Sequence, residues 1–329
     1  MKRKGFLIDD VASLDNLYLA YYKAKRGKTY KREVISFSEK LDSNLKVLQK
    51  QLLTGNVEVG NYNYFKIYDP KERVICAASF PERVLHHAIM NVCHRYFDST
   101  LIYDTYATRI GKGTYKAIER AMYGAKLYKF VLKLDVRKYF DSISHDVLKS
   151  KLRTLFKDPL LLIVFNKIID SYSVNEGFGL PIGNLTSQYF ANYYLSYIDH
   201  YMKEVQKVPL YVRYMDDILI FGDDKSSINR AYSCISLLMN EHYLQLKQPI
   251  AIKTYNGIPF LGYRIYPNKV LLSARSKKRF INKYIKYVNL LNNDAMSEND
   301  FVRHILPLFA FVQKAYTKKL RLNIMGRTE

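Results

Sequence analysis

The stretch Tyr211-Val-Arg-Tyr-Met-Asp-Asp-Ile-Leu-Ile-Phe221 decides how this chain is read. Two adjacent carboxylates, Asp216 and Asp217, stand between two apolar arms rich in aromatic and β-branched residues. Such arms read as paired strands, with the acids at the tip between them. An Asp pair at a hairpin tip is usually a solvated turn, because Asp side chains bond nearby backbone. Here the flanks are apolar enough to bury the hairpin. Like charges at a buried tip are costly unless a cation offsets them. A second apolar strand, Phe130-Val-Leu-Lys-Leu-Asp135, also ends in an acid. If the strands are neighbours, three carboxylates converge. Hard oxygen donors in that number suit Mg²⁺. Two such ions about 4 Å apart bridge an attacking hydroxyl and a leaving pyrophosphate.

Composition points the same way. The chain has 329 residues and is 48% hydrophobic, enough for one large or several small lobes around ordinary cores. Lys and Arg total 52 against 30 acids, a formal charge of +22. That field attracts polyanions, and nucleic acid rewards many basic contacts by counterion release. A membrane surface is disfavoured, since no long basic amphipathic anchor is seen. Met1-Lys-Arg-Lys-Gly-Phe-Leu-Ile-Asp-Asp10 starts like a signal peptide, but its apolar run is short and ends in two acids. The longest apolar run, Leu160 to Phe165, is far below a membrane span. Cys76, Cys93 and Cys234 show no paired-ligand spacing and read as reduced thiols of a cytoplasmic protein. The 30 tyrosines can stack on bases but more often fill cores.

No repeat or Pro/Ser-rich linker divides the chain. Leu41, Leu45, Leu48 and Leu52 predict a helix closed by Gly55. Tyr64–Tyr68 and Arg73–Cys76 predict a hairpin with a basic tip at Asp69-Pro-Lys-Glu72. Pro81 to Phe97 reads as a helix, and Ser144 caps another with Val147, Leu148, Leu152 and Leu155 on its apolar stripe. Gly177-Phe-Gly-Leu-Pro-Ile-Gly183 precedes a helix expected over Leu185 to Val205. A helix over Ser227 to His242 and a strand over Phe260 to Ile265 follow. Ser273 to Leu291 reads as a helix with Ile281, Ile285, Val288 and Leu291 inward and Arg275, Lys278, Arg279, Lys283 and Lys286 outward. The plan is α+β, palm-like with helical lobes.

These residues resemble reverse transcriptases. Tyr214-Met-Asp-Asp217 is similar to their Tyr-x-Asp-Asp signature, and Leu134-Asp-Val-Arg-Lys-Tyr-Phe140 to their first catalytic block. Phe260-Leu-Gly-Tyr263 is similar to their primer-gripping hairpin. Most relatives carry Gln-Gly-x-x-x-Ser-Pro where this chain has Ile182-Gly-Asn-Leu-Thr-Ser-Gln188. Ile first and Gln last resemble the diversity-generating retroelement enzymes. Tyr106-Ala-Thr-Arg-Ile-Gly-Lys-Gly-Thr114 and Asn16-Leu-Tyr-Leu-Ala-Tyr-Tyr-Lys-Ala-Lys-Arg-Gly27 also fit them.

The resemblance implies a right-hand polymerase fold of fingers, palm with an antiparallel sheet, and a short helical thumb. Residues 1–105 and 143–178 would form fingers, 106–142 and 179–270 palm, and 271–329 thumb. Asp135, Asp216 and Asp217, with the Val136 carbonyl, would hold two Mg²⁺. Lys71, Arg73, Phe140, Ile182, Gly183 and Gln188 would contact the nucleotide, with Phe140 rejecting a 2′-hydroxyl. Arg109, Tyr214, Met215, Leu261, Gly262, Lys278, Arg279 and Lys283 would contact primer and template. Leu244-Gln-Leu246 is followed by Lys247 and Lys253, neither at the family's usual offset, so a proton donor to pyrophosphate stays unassigned. Implied partners are template RNA, a DNA or RNA primer, dNTPs and an oligomeric accessory variability determinant protein, in a bacterium or phage. The chain ends soon after the thumb, so nuclease and integrase segments are expected to be absent.

Other readings remain open. A retron or group II intron enzyme would share the palm. A palm-fold cyclase or terminal transferase would lack template dependence, and a non-catalytic nucleic-acid scaffold would not need the carboxylates. Gly111-Lys-Gly-Thr114 lacks the phosphate-loop spacing. His86-His87 reads as packing or surface rather than as a ligand pair.

Overall fold

The computed structural model describes residues 3–68 and 72–326. Its elements begin with α1 (Ile8–Ala12), α2 (Leu14–Lys25), α3 (Arg32–Glu39), α4 (Leu41–Thr54), β1 (Tyr62–Ile67), β2 (Arg73–Ala78) and α5 (Phe80–Ser99). Next come α6 (Thr114–Leu127), β3 (Phe130–Asp135), α7 (His145–Leu155), α8 (Pro159–Asp170), α9 (Leu185–Tyr194) and α10 (Ser196–His200). Then β4 (Leu210–Tyr214), β5 (Asp217–Gly222), α11 (Lys225–Glu241), β6 (Ile250–Lys253), β7 (Ile258–Phe260), β8 (Tyr263–Ile265) and β9 (Val270–Leu272) follow. The chain closes with α12 (Ala274–Asn292), α13 (Glu298–Gln313) and α14 (Lys318–Met325).

The chain forms two compact units. The first comprises Met1–Tyr103, Val136–Tyr201 and Ser236–Leu246. It is mainly helical, with the antiparallel β1–β2 hairpin as its sheet. Leu45, Leu48 and Leu52 are buried on α4, and Gly55 closes it at φ 69°. A ring cluster of Phe97, Phe156, Phe165 and Phe190 packs edge-to-face or tilted at centroid distances of 5.3–6.3 Å. Asp158 caps α8 through Leu161 N–H at 3.2 Å and also accepts Leu7 N–H at 2.7 Å, tying the N-terminal helices to this cluster.

The second unit comprises Asp104–Asp135, Met202–Ile235 and Lys247–Glu329. Its centre is a four-stranded sheet in the order β4-β5-β3-β6, with antiparallel pairing throughout. β4 and β5 are buried almost along their whole length, as the apolar arms predict. Helix α6 covers one face through Ala117, Ile118, Ala121 and Ala125 against Leu210, Val212, Leu219 and Phe221. A second antiparallel sheet, β7-β8-β9, joins the same core. Helices α12–α14 share a core of Phe280, Tyr284, Val288, Val312 and Ile324. Among the described residues no helix is long and apolar enough to cross a membrane.

Three expectations are corrected. The helix expected over Leu185 to Val205 is helical through that span but is interrupted at Leu195, between α9 and α10, and widens into a π-helix over Tyr201–Val205. The strand expected over Phe260 to Ile265 is the tight hairpin β7–β8, because Leu261 and Gly262 take φ of 49° and 86°. On α12 the buried stripe is Ser276, Phe280, Tyr284 and Val288, whereas Ile285 is exposed. Aromatic rings fill the space that aliphatic periodicity assigned to Ile285, while Ile281 packs partly buried against the same core.

Gly124 of α6 has no space for a side chain. A Cβ there would meet Leu210 Cδ2 at 2.6 Å and Phe221 Cε1 at 2.8 Å. Gly124→Ala should therefore lower the urea unfolding midpoint, by about 1–3 kcal/mol in stability, although alanine is the better helix former.

Candidate active site

The register places the acids. Asp135 ends β3 directly opposite Asp217, and Tyr214 of β4 pairs with Asp217 from the other side. Cross-strand partners share a face, so Asp135 and Asp217 stand side by side. Asp216 lies in the two-residue connection between β4 and β5. Met215 in that connection takes φ 56°, the left-handed conformation that two-residue hairpins favour and that costs a non-glycine residue about 1–3 kcal/mol. Arg213, 0% exposed on β4, donates from Nη1 to the Met215 carbonyl at 3.0 Å and pins the turn. The Tyr214 hydroxyl meets Thr114 Oγ1 at 3.2 Å.

Two lysines serve as counter-ions. Lys133, two residues before Asp135 and on its face of β3, brings Nζ to 3.2 Å from Asp217 Oδ1. It also donates to the Pro259 carbonyl at 3.0 Å. Lys247 Nζ donates to Asp135 Oδ1, and Lys247 N–H donates to the Asp135 carbonyl at 2.8 Å. Burial pushes the Asp216 carboxyl up to about 6, and the charges of Asp135 and Asp217 add to this. Burial also raises Asp217, opposed by Lys133.

The donors fit a hard divalent cation in kind. All are carboxylates at one sheet end, and Asp217 Oδ1 is buried with no hydrogen bond of good geometry. Among the described residues no three acidic, His or Cys side chains are gathered around a common point as they stand. Asp135 is drawn to Lys247 and Asp217 to Lys133.

The other sequence candidates fall into separate groups. In the first unit, Phe140 lies half-buried in a 3₁₀ turn over Tyr139–Ser142, and its carbonyl accepts Leu180 N–H at 2.9 Å. This sets Phe140 near the Ile182–Gly183 loop. Cys76 N–H of β2 donates to the Ile182 carbonyl at 2.8 Å. Gly183 has φ 128°, and a Cβ there would lie 3.0 Å from the Cys76 carbonyl oxygen. Arg73 is exposed at the start of β2, Gln188 is exposed on α9, and Val136 is buried in a bridge with Leu246. Lys71 lies outside the described residues.

In the second unit, the Leu261–Gly262 turn rests on the start of α12, where Ser273 N–H donates to the Gly262 carbonyl at 3.0 Å. Lys278 follows exposed within α12, and Arg279 sits 5.7 Å above the Phe311 ring. Lys283 lies further along the helix. Arg109 donates to Thr105 Oγ1 at 2.8 Å, which ties its loop down. Lys253 lies 5.7 Å over the Tyr255 ring. Sequence reasoning missed Lys133 and Arg213. The two-residue period from Asp135 marks Lys133, and an arginine amid a buried strand marks Arg213.

Comparison with known proteins agrees with this geometry. A family model described as "Reverse transcriptase (RNA-dependent DNA polymerase)" matches residues 68–265, more than half of the chain. The chain belongs to the reverse transcriptase family. It is 22% identical, over 79% of its length, to the putative COX1/OXI3 intron 1 protein of Saccharomyces cerevisiae, and spans 39% of that relative. The apo telomerase of Candida tropicalis superposes with a TM-score of 0.51 at 14% identity, over 82% of this chain and 62% of that one. The same organism's telomerase with a TWJ fragment of telomeric RNA gives 0.51 at 12% identity, over 86% and 58%. The mixed helical and antiparallel architecture is the right-hand polymerase fold.

The raised carboxyl has a consequence for stability. Asp216 titrates near 6 when folded against about 3.8 when unfolded, so the folded chain binds the proton more tightly. Its contribution is fully present below about pH 4 and is lost as pH rises through 6. In chelator-treated protein, Asp216→Asn should raise stability by roughly 2–3 kcal/mol at pH 7–8 and leave it unchanged near pH 4. Urea titrations across that range measure it.

Proposed function

We propose that the chain is an RNA-directed DNA polymerase. The observation that carries this reading is the pairing of Asp135 with Asp217 at the end of a buried sheet, with Asp216 beside them. A primer 3′-hydroxyl would attack the α-phosphate of a dNTP in line, forming a new P–O bond as the bond to pyrophosphate breaks. Two Mg²⁺ held by Asp135, Asp216 and Asp217 would supply charge neutralisation and activation of the hydroxyl. The chain's own part is positioning. Arg213 and the strained Met215 turn would fix the acids. The Leu261–Gly262 turn, with Lys278, Arg279 and Lys283 of α12, would hold the primer end and the duplex by shape and backbone. Phe140 would close on the sugar and exclude a 2′-hydroxyl, while Arg73 and Lys71 would meet the triphosphate. The fingers, palm and thumb boundaries at 105, 142, 178 and 270 belong to this reading.

Ile182 and Gln188 support a diversity-generating retroelement enzyme, working on a template RNA with an oligomeric accessory protein. An Ile at 182 offers shape where Gln would offer hydrogen bonds, which relaxes discrimination against mispairs at template adenine. A second reading, a group II intron-type enzyme, is favoured by the yeast intron protein among the relatives.

Primer extension on an RNA template with Mg²⁺ and dNTPs tests both levels. Extension by the parent, reduced on the order of 10²–10³-fold in Asp216→Asn, is expected. Parent and variant extending alike would sink the catalytic reading. With dTTP withheld, the parent should read through template adenines and Ile182→Gln should pause there. Pausing by the parent would favour the intron-type enzyme.

A further inference from the structure

Helix α5 carries a chain of buried polar groups that the sheet chemistry does not use. Glu82 and His86 stand one helical turn apart, 2% and 1% exposed, amid the apolar Val84, Leu85, Ala88 and Ile89. Groups of this kind are expensive in a core unless each link is made. Gly60, at the root of the β1–β2 hairpin, donates its N–H to Glu82 Oε2 at 3.1 Å. Glu82 Oε1 faces His86 Nε2 at 3.4 Å. On the far side of the ring, His86 Nδ1 lies 2.9 Å from the hydroxyl of Thr186, a fully buried residue in the first turn of α9. The Thr186 hydroxyl and His86 Nδ1 are joined by this hydrogen bond. Hydrogen bonds thus join the hairpin root to Glu82 and His86 to the helix that begins directly after Ile182–Gly183, and Glu82 and His86 meet between them at 3.4 Å.

The other side of the same region has its own link. Cys76 N–H donates to the Ile182 carbonyl, and Gly183, at φ 128°, packs against the Cys76 backbone so that a Cβ would sit 3.0 Å from its carbonyl oxygen. The loop is thus held between β2 and the Thr186 end of the buried chain. Glu82 Oε1, His86 Nε2 and Asn184 Nδ2 are buried with no hydrogen bond of good geometry among the described residues. A core selected for stability alone would place apolar groups here. Polar groups in two-sided contact fix one separation and one orientation instead.

We propose that Glu82, His86 and Thr186 are positioning residues. They set the spacing between the β1–β2 hairpin and the Ile182–Gly183 loop, and so the fit of the incoming nucleotide. This rests on the nucleotide-facing reading of that loop. None of the three touches the reacting atoms. Thr186→Val removes the hydroxyl and keeps the shape; Thr186→Ser keeps the hydroxyl.

The test joins two readouts on the full chain. Single-nucleotide incorporation should show KM for dNTP rising about tenfold in Thr186→Val, the cost of one buried hydrogen bond, with kcat within about twofold. Thr186→Ser should stay within about twofold of the parent in both. Hydrogen exchange should quicken about tenfold at the Cys76 amide in the Val variant and not in the Ser variant, with the β3 and β5 amides unchanged. Unchanged exchange at Cys76 in Thr186→Val would overturn the strut, whatever the kinetics. Faster exchange throughout the chain, with KM, kcat and primer affinity failing together, would also overturn it and leave an ordinary core role. If the parent extends no primer, the nucleotide reading falls and takes the specificity role with it, while the exchange data still decide the strut.

Discussion

The register between β3 and β5 is the constraint on which the site depends. Strand side chains alternate, so a slip of one residue would turn Asp217 to the face opposite Asp135. Two charges set opposite each other oppose their own alignment. What holds them is the apolar ladder behind: Val131 opposite Phe221, Leu132 opposite Ile220 and Leu134 opposite Ile218. All six are at most 3% exposed. Each fully buried side chain of this kind contributes about 1.5–3 kcal/mol. The ladder outweighs the repulsion and leaves it concentrated at one end.

The strands and their neighbours also bring positive charge to that end. In a chain of net charge +22 the basic residues are not all spread over the surface. Lys133 reaches Asp217 from β3 itself, and Lys247 reaches Asp135 by both its side chain and its N–H. Burial favours the protonated acids, whereas these ammonium groups favour the carboxylates. Asp217 is paired with Lys133 and Asp135 with Lys247. A bound divalent ion would compete with two flexible lysine side chains rather than with a rigid structural pair.

Much of this was legible in the sequence, and the parts that were not share a cause. Helix α4, strand β3 and the β4–β5 hairpin follow from periodicity and punctuation, because each buries a face its own residues specify. The acids were legible because charge is improbable between two buried arms. The break after Tyr194 was not, since nothing local in Tyr194-Leu-Ser-Tyr-Ile-Asp-His200 punctuates a helix. The β7–β8 turn hid behind Leu261, a residue that rarely accepts φ 49°. On α12, rings at Phe280 and Tyr284 join Val288 on the buried stripe and Ile285 is turned out. His86 reads as packing on its helix, and only the fold reveals that Thr186 and Glu82 lie on either side of its ring.

The strained backbone follows the same division of labour. Met215, Leu261 and Lys138 all have positive φ without being glycine, at 56°, 49° and 45°. Each sits in a connection leaving or joining a short, well-packed element. Met215 lies beside the acid pair, Leu261 at the turn resting on α12, and Lys138 just before the segment bearing Phe140. Such conformations persist only where the surroundings over-determine them. A strand cannot point a group off its own end, and a mobile loop cannot hold it still. A tight turn anchored on buried strands does both, as at Met215 between β4 and β5. Gly183 obeys the same logic without a side chain, because its backbone must lie against β2. Precision at the site is thus set by paired backbone and packed apolar rows, and the polar groups inherit it.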